Sequence, residues 1–371
     1  MDSKTLERWR RHLHENPELA LDTVNTRKYI LEQLDGIRAE ISEPIPNSIA
    51  LYFDFGREKT MALRADMDAL PVMEETGAPY SSKCPGRMHA CGHDGHMTML
   101  MGAAMEINRM EDAGRNVLII FQPGEENPGG ARLIMETGLF EKHHVDMVFG
   151  MHLWPNLKAG AVGCRPGPMM ARSSEVNIDI TGRAAHAAKY REGIDALEAG
   201  MNLLSRIYES EKEIDDNIYR LLRFGHMSAG TIRNVVASNA RLEGTLRAFE
   251  PEVFEGLKQM IIDHAGEIEQ ETGASVTLSF STGYPAVLND EKLAQKLMSE
   301  VSLDIQPLPL PEMISEDFSF YMQEVPGVFF FFGTGTGIPL HDSHFDFDAD
   351  ILADGCAFWT RLVRIVSWWT M

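Results

Sequence analysis

The hydrophobic period changes twice along this 371-residue chain, and that change constrains the fold more than any other feature. Toward both ends the apolar residues come in short unbroken runs. Val117-Leu-Ile-Ile-Phe121, Met147-Val-Phe-Gly-Met151 and Phe329–Phe332, the last between Gly327 and Gly333, are the clearest. Runs of this length, rich in β-branched and aromatic residues, suit strands buried on both faces, as in a parallel sheet covered by helices. Ile49–Phe55 and Met61–Arg64 read as further strands. Thr5 to about Leu34 reads as two helices broken at Asn16-Pro17, because proline disfavours the helical conformation in the residue before it. Helical patterns over His96–Glu111, Gly130–Glu141, Asp290–Ser302 and Ala349–Trp368 separate most of the strands. Alternation of this kind predicts a three-layer α/β domain.

The middle of the chain follows a period of two. Val176, Ile178 and Ile180 alternate with polar residues, as do Leu242, Gly244 and Leu246, and then Val276, Leu278 and Phe280. Such alternation marks strands with one solvated face, the habit of an antiparallel sheet. Helical stretches at about Ile194–Glu213 and Pro251–Thr272 lie between them. The expected organisation is therefore an α/β domain over residues 1–172 and 285–371, with an α+β domain over 173–284 inserted into it. The length supports two domains, since single cores stop growing near ~250–300 residues.

Charge narrows the function. There are 55 acidic and 34 basic residues, a formal charge of −21, which argues against nucleic acid or an anionic membrane as partner. No stretch approaches the ~18 apolar residues of a membrane span, and the opening residues lack the apolar run of a signal peptide. Four cysteines, Cys84, Cys91, Cys164 and Cys356, are too few for a disulfide framework at this length. Reduced thiols and a cytoplasmic location are the expectation.

Chemistry concentrates at the predicted strand ends. Met88-His-Ala-Cys-Gly-His-Asp-Gly-His96 is the densest group of metal-ligand types in the chain. Cys91 and His93 flank a glycine, which permits a tight turn that points both the same way; a buried thiol with solvated histidines is the competing reading. Phe121-Gln-Pro-Gly-Glu-Glu-Asn127 follows a core strand. One carboxylate could bind metal while its neighbour takes a proton from an acidified water, or both could be loop charges. His152 ends another strand, and His341 and His344 follow the phenylalanine run. A lone histidine at a strand end is often structural, but four such strand ends together supply the ligands two cations need. Asp66 and Asp68 could orient a ligand histidine through its second nitrogen, or simply cap a helix or turn.

These motifs resemble the aminoacylase and carboxypeptidase group of dinuclear metallohydrolases, in the amidohydrolase branch with hippurate hydrolases, auxin-conjugate hydrolases and N-acetyldiaminopimelate deacetylases. Arg10–Leu19, Leu63-Arg-Ala-Asp-Met-Asp-Ala-Leu-Pro71, Met88–His96, Phe121–Glu126, Gly150-Met-His152, Gly182–Ala188, Glu243–Arg247 and Ser315-Glu-Asp-Phe-Ser319 carry the resemblance in order. It implies that Cys91, His93, Glu126, His152 and His341 bind two divalent metal ions per subunit, with His344 the alternative to His341. Glu125 would be the general base. The inserted domain would be a lid and dimerisation domain, with His186 steadying the developing oxyanion and Asn234 and Arg247 holding the substrate carboxylate. A homodimer or higher homo-oligomer is implied with it.

Three positions depart from the group's pattern. Tyr190-Arg191 stands where a Pro-His pair is usual, Ala237 where proline is common, and Arg64 where more distant relatives carry a histidine ligand. The expected reaction is hydrolysis of an N-acyl-L-amino acid to a carboxylate and a free amino acid. N-acetyldiaminopimelate deacetylation, dipeptide or carboxypeptidase cleavage and non-catalytic metal-dependent binding are the alternatives. A mixed Cys/His/Glu set accepts Zn²⁺, Mn²⁺, Co²⁺ or Ni²⁺.

Overall fold

A computed structural model describes residues 1–369; Thr370 and Met371, inside the expected 285–371 segment, lie outside the described residues. The chain divides into two compact units. The first comprises Met1–Met169, Leu288–Leu310 and the chain from Asp317 on, and the second Met170–Val287 with Pro311–Glu316. The short return 311–316 carries no hydrophobic pattern that would assign it to the second unit.

The first unit is built on an eight-stranded mixed sheet. In spatial order its strands are Glu40–Ser42, Ile49–Phe53, Asn116–Gln122, Thr60–Asp66, Val145–Trp154, Gly327–Gly333, Val162–Cys164 and Ile305–Pro307. Four central neighbours run parallel, with Ala62 beside Leu118, Leu63 beside Phe149, and His152 beside Phe331. Alternate residues Met61, Leu63, Val117, Ile119, Phe149 and Phe330 pack in one core with residues of the helices Ser3–Glu15, His93–Asn108 and Ile351–Val366. The opposite set, including Ala62, Leu118, Ile120 and Phe329, is equally buried. There Phe329 meets Phe318, Phe318 meets Tyr321, and Tyr321 stacks on Phe140. Apolar residues on both faces explain the unbroken runs, and the fold is three-layer α/β.

Parallel strands have their carboxyl ends on one edge. That edge carries the loops after Asp66, Gln122, Trp154 and Gly333, hence every strand-end motif of the sequence. Open α/β sheets bind their ligands there.

The second unit is an antiparallel four-stranded sheet in the order Ser275–Phe280, Arg172–Thr181, Asn239–Ala248, Arg220–Ala229. Val176, Ile178, Ile180, Leu242 and Leu246 form its apolar face, packed in one cluster with Leu203 and Ile207 of the helix Ala196–Lys212 and with Leu257, Ile261 and Ile268 of the helix Pro251–Thr272. The expected helix Gly130–Glu141 is instead two short ones, Gly130–Met135 and Leu139–Lys142, parted at Gly138 in the left-handed region (φ +72°).

Candidate metal centre

The turn before the helix His93–Asn108 sets the first two groups. Gly92 caps that helix at φ +83°, and a Cβ there would lie 2.8 Å from Leu153 Cδ1. Only glycine fits without strain, so Cys91 and His93 leave the turn on either side of a backbone pressed against the strand that ends beside His152. Cys91, His93 and His152 place their ligand atoms within 4.8 Å of one another, all buried. Cys91 Sγ lies 3.3 Å from His152 Nε2 and 3.3 Å from His341 Nε2. His341 Nε2 is also 3.3 Å from Glu126 Oε1, so Cys91, Glu126 and His341 form a second group sharing the thiol. His93, Glu125 and Glu126 form a third.

Each imidazole is oriented by its other nitrogen. His93 Nδ1 lies 2.7 Å from the Asp68 carbonyl, which can only accept, so Nδ1 carries the proton and Nε2 the lone pair. His152 is fixed in the same way by a 2.8 Å bond from Nδ1 to the Leu153 carbonyl. His341 sits at φ +68°, an uncommon conformation for a histidine, with its N–H bonded to the Ala90 carbonyl at 2.9 Å. The backbone is thus latched beside Cys91. His344 instead contacts Ser343 and Asp342 and joins none of the three groups.

The Glu125-Glu126 turn is held from below. Asp68 accepts the Glu125 N–H at 2.9 Å through Oδ1 and the Glu126 N–H at 3.1 Å through Oδ2. Asp68 therefore orients His93 through its backbone carbonyl, and its carboxylate clasps the two glutamates. Asp66 differs from expectation as well: its Oδ1 accepts from His96 Nδ1–H at 2.6 Å, and its Oδ2 accepts from Arg64 at 2.8 Å.

Whether these residues suit cations can be tested on the structure. His93 Nε2 is fully buried and has no hydrogen-bond partner among the described residues, a position that costs on the order of 1–3 kcal/mol unless something occupies it. Burial, followed by the charges of Glu126, Glu125 and Asp66, pushes the Cys91 thiol well above its ordinary range. Burial likewise raises the Glu126 carboxyl, but His341 and His93 outweigh it and hold the group below its usual value. Burial, then His96, keeps His152 well below the usual histidine value and hence neutral. Neutral imidazoles, a carboxylate and a thiol whose proton a cation would displace are a transition-metal donor set. The residues fit.

The sequence profile of peptidase family M20/M25/M40 matches residues 62–365. The chain belongs to this family. It is an M20-family metal-dependent hydrolase. An uncharacterized hydrolase of Staphylococcus aureus strain USA300 is 34% identical over 368 residues, 96% of each chain. The crystal structure of the Bacillus subtilis YXEP protein, a dinuclear metal-binding peptidase of the M20 family, superposes with a TM-score of 0.86 at 30% identity, covering 98% of both chains. An aminobenzoyl-glutamate utilization protein from Klebsiella pneumoniae shares the fold, with a TM-score of 0.67 at 19% identity over 97% of this chain and 95% of that one.

In this M20 chain the expected groups of the second unit do not all come together. His186 and Asn234 are neighbours: His186 pairs with Val235, and the Ala187 N–H bonds the Asn234 carbonyl at 3.0 Å. Both side chains are exposed. His186 Nδ1 accepts the Ala188 N–H at 3.2 Å, so a neutral ring carries its proton on Nε2, as a donor. Arg247 stands near the far end of the strand Asn239–Ala248, eight residues from Asn239 and so about 27 Å away at ~3.4 Å per residue. One small molecule cannot touch both groups of a single chain.

Arg247 bonds the Met313 carbonyl, while its buried Nε has no partner among the described residues. Burial lowers the pKa of this half-buried guanidinium.

Two buried networks escaped the sequence reading. Arg64 donates to Gln122 (2.9 Å), Asp66 (2.8 Å) and Asp317 (2.7 Å), a buried cation that neutralises two carboxylates. Arg10 and His14 converge on Asp94 at 3.1 and 2.9 Å, anchoring the first turn of the helix His93–Asn108. The signal was present in Arg10-Arg-His-Leu-His14, but a helix carrying basic residues reads as a solvated face until its partners are known.

Proposed function

We propose that this M20 hydrolase cleaves the amide bond of an N-acyl-L-amino acid, at two divalent cations held by Cys91, His93, Glu126, His152 and His341. The observation that carries the reading is Glu125, a buried carboxyl grouped with His93 and Glu126 and held by the Asp68 clasp. Such a cation pair, Zn²⁺ or Mn²⁺ with Co²⁺ and Ni²⁺ as further fits, would polarise the scissile carbonyl and make water acidic enough to lose a proton near neutrality. Glu125 accepts that proton as the new C–O bond forms. It then delivers the proton to the amide nitrogen as the C–N bond breaks, so a neutral amine leaves. His186 Nε2–H supplies a donor for the negative charge growing on the carbonyl oxygen.

Arg247 supports an amino-acid carboxylate as the other end of the substrate, because it is a half-buried cation with an unbonded Nε. Since His186 and Arg247 lie a strand's length apart, we assign them to different subunits of a homodimer, each site taking His186 and Asn234 from the partner subunit. Acetyl-diaminopimelate is a narrower candidate that rests on motif resemblance alone.

The test is turnover by the Mn²⁺- and Zn²⁺-loaded protein of N-acetyl and N-benzoyl amino acids, acetyl-diaminopimelate and dipeptides. Release of free amino acid from the acyl substrates is expected. Cleavage of dipeptides alone would replace this reading with a peptidase, and metal-dependent binding without turnover would make the protein a binder.

A further inference from the structure

The nine-residue run that supplies Cys91 and His93 ends in a histidine to which no role has yet been given. His96 is buried, and both its ring nitrogens are engaged by the protein. Nδ1 lies 2.6 Å from Asp66 Oδ1, a carboxylate already held by Arg64, and Nε2 accepts the Leu153 N–H at 2.8 Å. Nδ1–H donates to the carboxylate, so Nε2 is the acceptor; no second tautomer satisfies both contacts. The Leu153 carbonyl in turn receives the Nδ1–H of His152 at 2.8 Å. Leu153 is therefore gripped at its N–H by His96, and its carbonyl, in the next peptide group, orients His152. The His96 ring also packs edge-on against His152, with centroids 4.6 Å apart and planes at 70°.

We propose that His96 is a positioning residue. Through the Leu153 backbone it fixes the rotation of His152 so that the His152 Nε2 lone pair faces Cys91. The competing possibility is that His96 is itself a ligand, since Asp66, His93 and His96 lie within 4.8 Å of one another. The bond to the Leu153 N–H argues against that, because it uses the lone pair a cation would need. Asp66 and Arg64 then act one step further out, locking the tautomer. The chain of contacts Arg64–Asp66–His96–Leu153–His152 links two parallel strands through the helix between them, and it gives the arginine at position 64 a purpose beyond filling the place of a ligand.

This inference rests on His152 binding metal, and the experiment separates the two. Co²⁺ stoichiometry, Co²⁺ affinity by chelator competition, and the thiolate-to-cobalt absorption band are measured for wild type, H152A, H96Q and H96N. A glutamine places its amide where Nε2 was and can accept the Leu153 N–H. An asparagine reaches only the Nδ1 position, toward Asp66. H96Q is expected to keep two cobalt ions and the wild-type band, with near-normal affinity. H96N is expected to lose about 10- to 100-fold in affinity for one ion, with a shifted band and faster hydrogen exchange at the Leu153 amide. H152A is expected to lose that same ion outright.

Loss of a full equivalent in both H96Q and H96N would make His96 a ligand and overturn the proposal. Wild-type affinity, band and exchange in H96N would overturn it in the other direction. Should H96N fail to fold, H96A is read in its place, with the same expectations. If H152A retains both ions at wild-type affinity, the ligand assignment fails instead.

Discussion

The carboxyl edge of the first unit and the loop rim of the second differ in how much of their arrangement is fixed in advance. At the sheet edge His93, His152 and Cys91 are buried, and Asp68, Leu153 and Ala90 hold the donors in place. At the rim His186 and Asn234 are exposed, while Arg247, near the far end of its strand, keeps a buried nitrogen unbonded. The groups proposed to hold cations are built rigid, since a loose ligand loses affinity. The groups proposed to meet a substrate are left exposed or unsatisfied.

The sharpest attempt to break this contrast is Glu125→Gln. We expect turnover to fall by roughly 10²–10⁴-fold while two metal equivalents remain bound. Activity within tenfold of wild type would remove Glu125 from proton transfer. Next in size is Arg64→Leu, which strips a cation from two buried carboxylates and should cost about 3–5 kcal/mol in chemical denaturation. Arg241→Ala in the second unit breaks an exposed pair with Asp179 and should leave the melting temperature unchanged. Equal losses in the two variants would erase the distinction between the regions.

The anchoring network supplies a pH dependence. Burial opposes charging of His14, but hydrogen bonds to Asp94 and Glu74 prevail and raise it from 6.5 to about 9. A raised histidine stabilises the fold fully below pH 6.5, and that stability is lost as pH rises through 9. At ~1.4 kcal/mol per unit the loss is about 3 kcal/mol. Denaturant midpoints from pH 6 to 10 should fall more steeply for wild type than for His14→Gln, and parallel curves would count against it.

On the second unit, Arg247→Ala should raise KM about 10- to 100-fold with a smaller change in kcat, the signature of a lost charged hydrogen bond. The smallest effect is a recovery. Mixing His186→Ala with Arg247→Ala subunits should restore about a quarter of wild-type activity, because half the dimers are mixed and each carries one intact site. No recovery would place both groups in one chain's site.

Much of the fold was legible beforehand because buried strands write themselves in residue type, as candidate ligand groups do. Val117–Phe121 had to be a core strand, and Cys91-Gly-His93 had to turn sharply. The strand Arg220–Ala229 escaped notice because only Leu222 is buried along it, so an edge strand leaves no alternation to read. The roles of Asp66, Asp68 and His96 could not be separated either. A carboxylate's choice among a ring nitrogen, a guanidinium and two backbone amides depends on contacts that lie 2, 30, 57 and 58 residues away along the chain. Similarly, nothing in the spacing of Asn234 and Arg247 shows that a strand's full length parts them.

The latch between His341 and Ala90 joins points 251 residues apart in the neighbourhood of Cys91. A cation seated there would staple the last loop of the first unit to the turn that opens the helix His93–Asn108, and its binding free energy would count as resistance to unfolding. Starving such a protein of metal would do more than silence it. A chelator would act as a gentle denaturant, and cells short of the ion would hold fewer intact copies as well as idle ones.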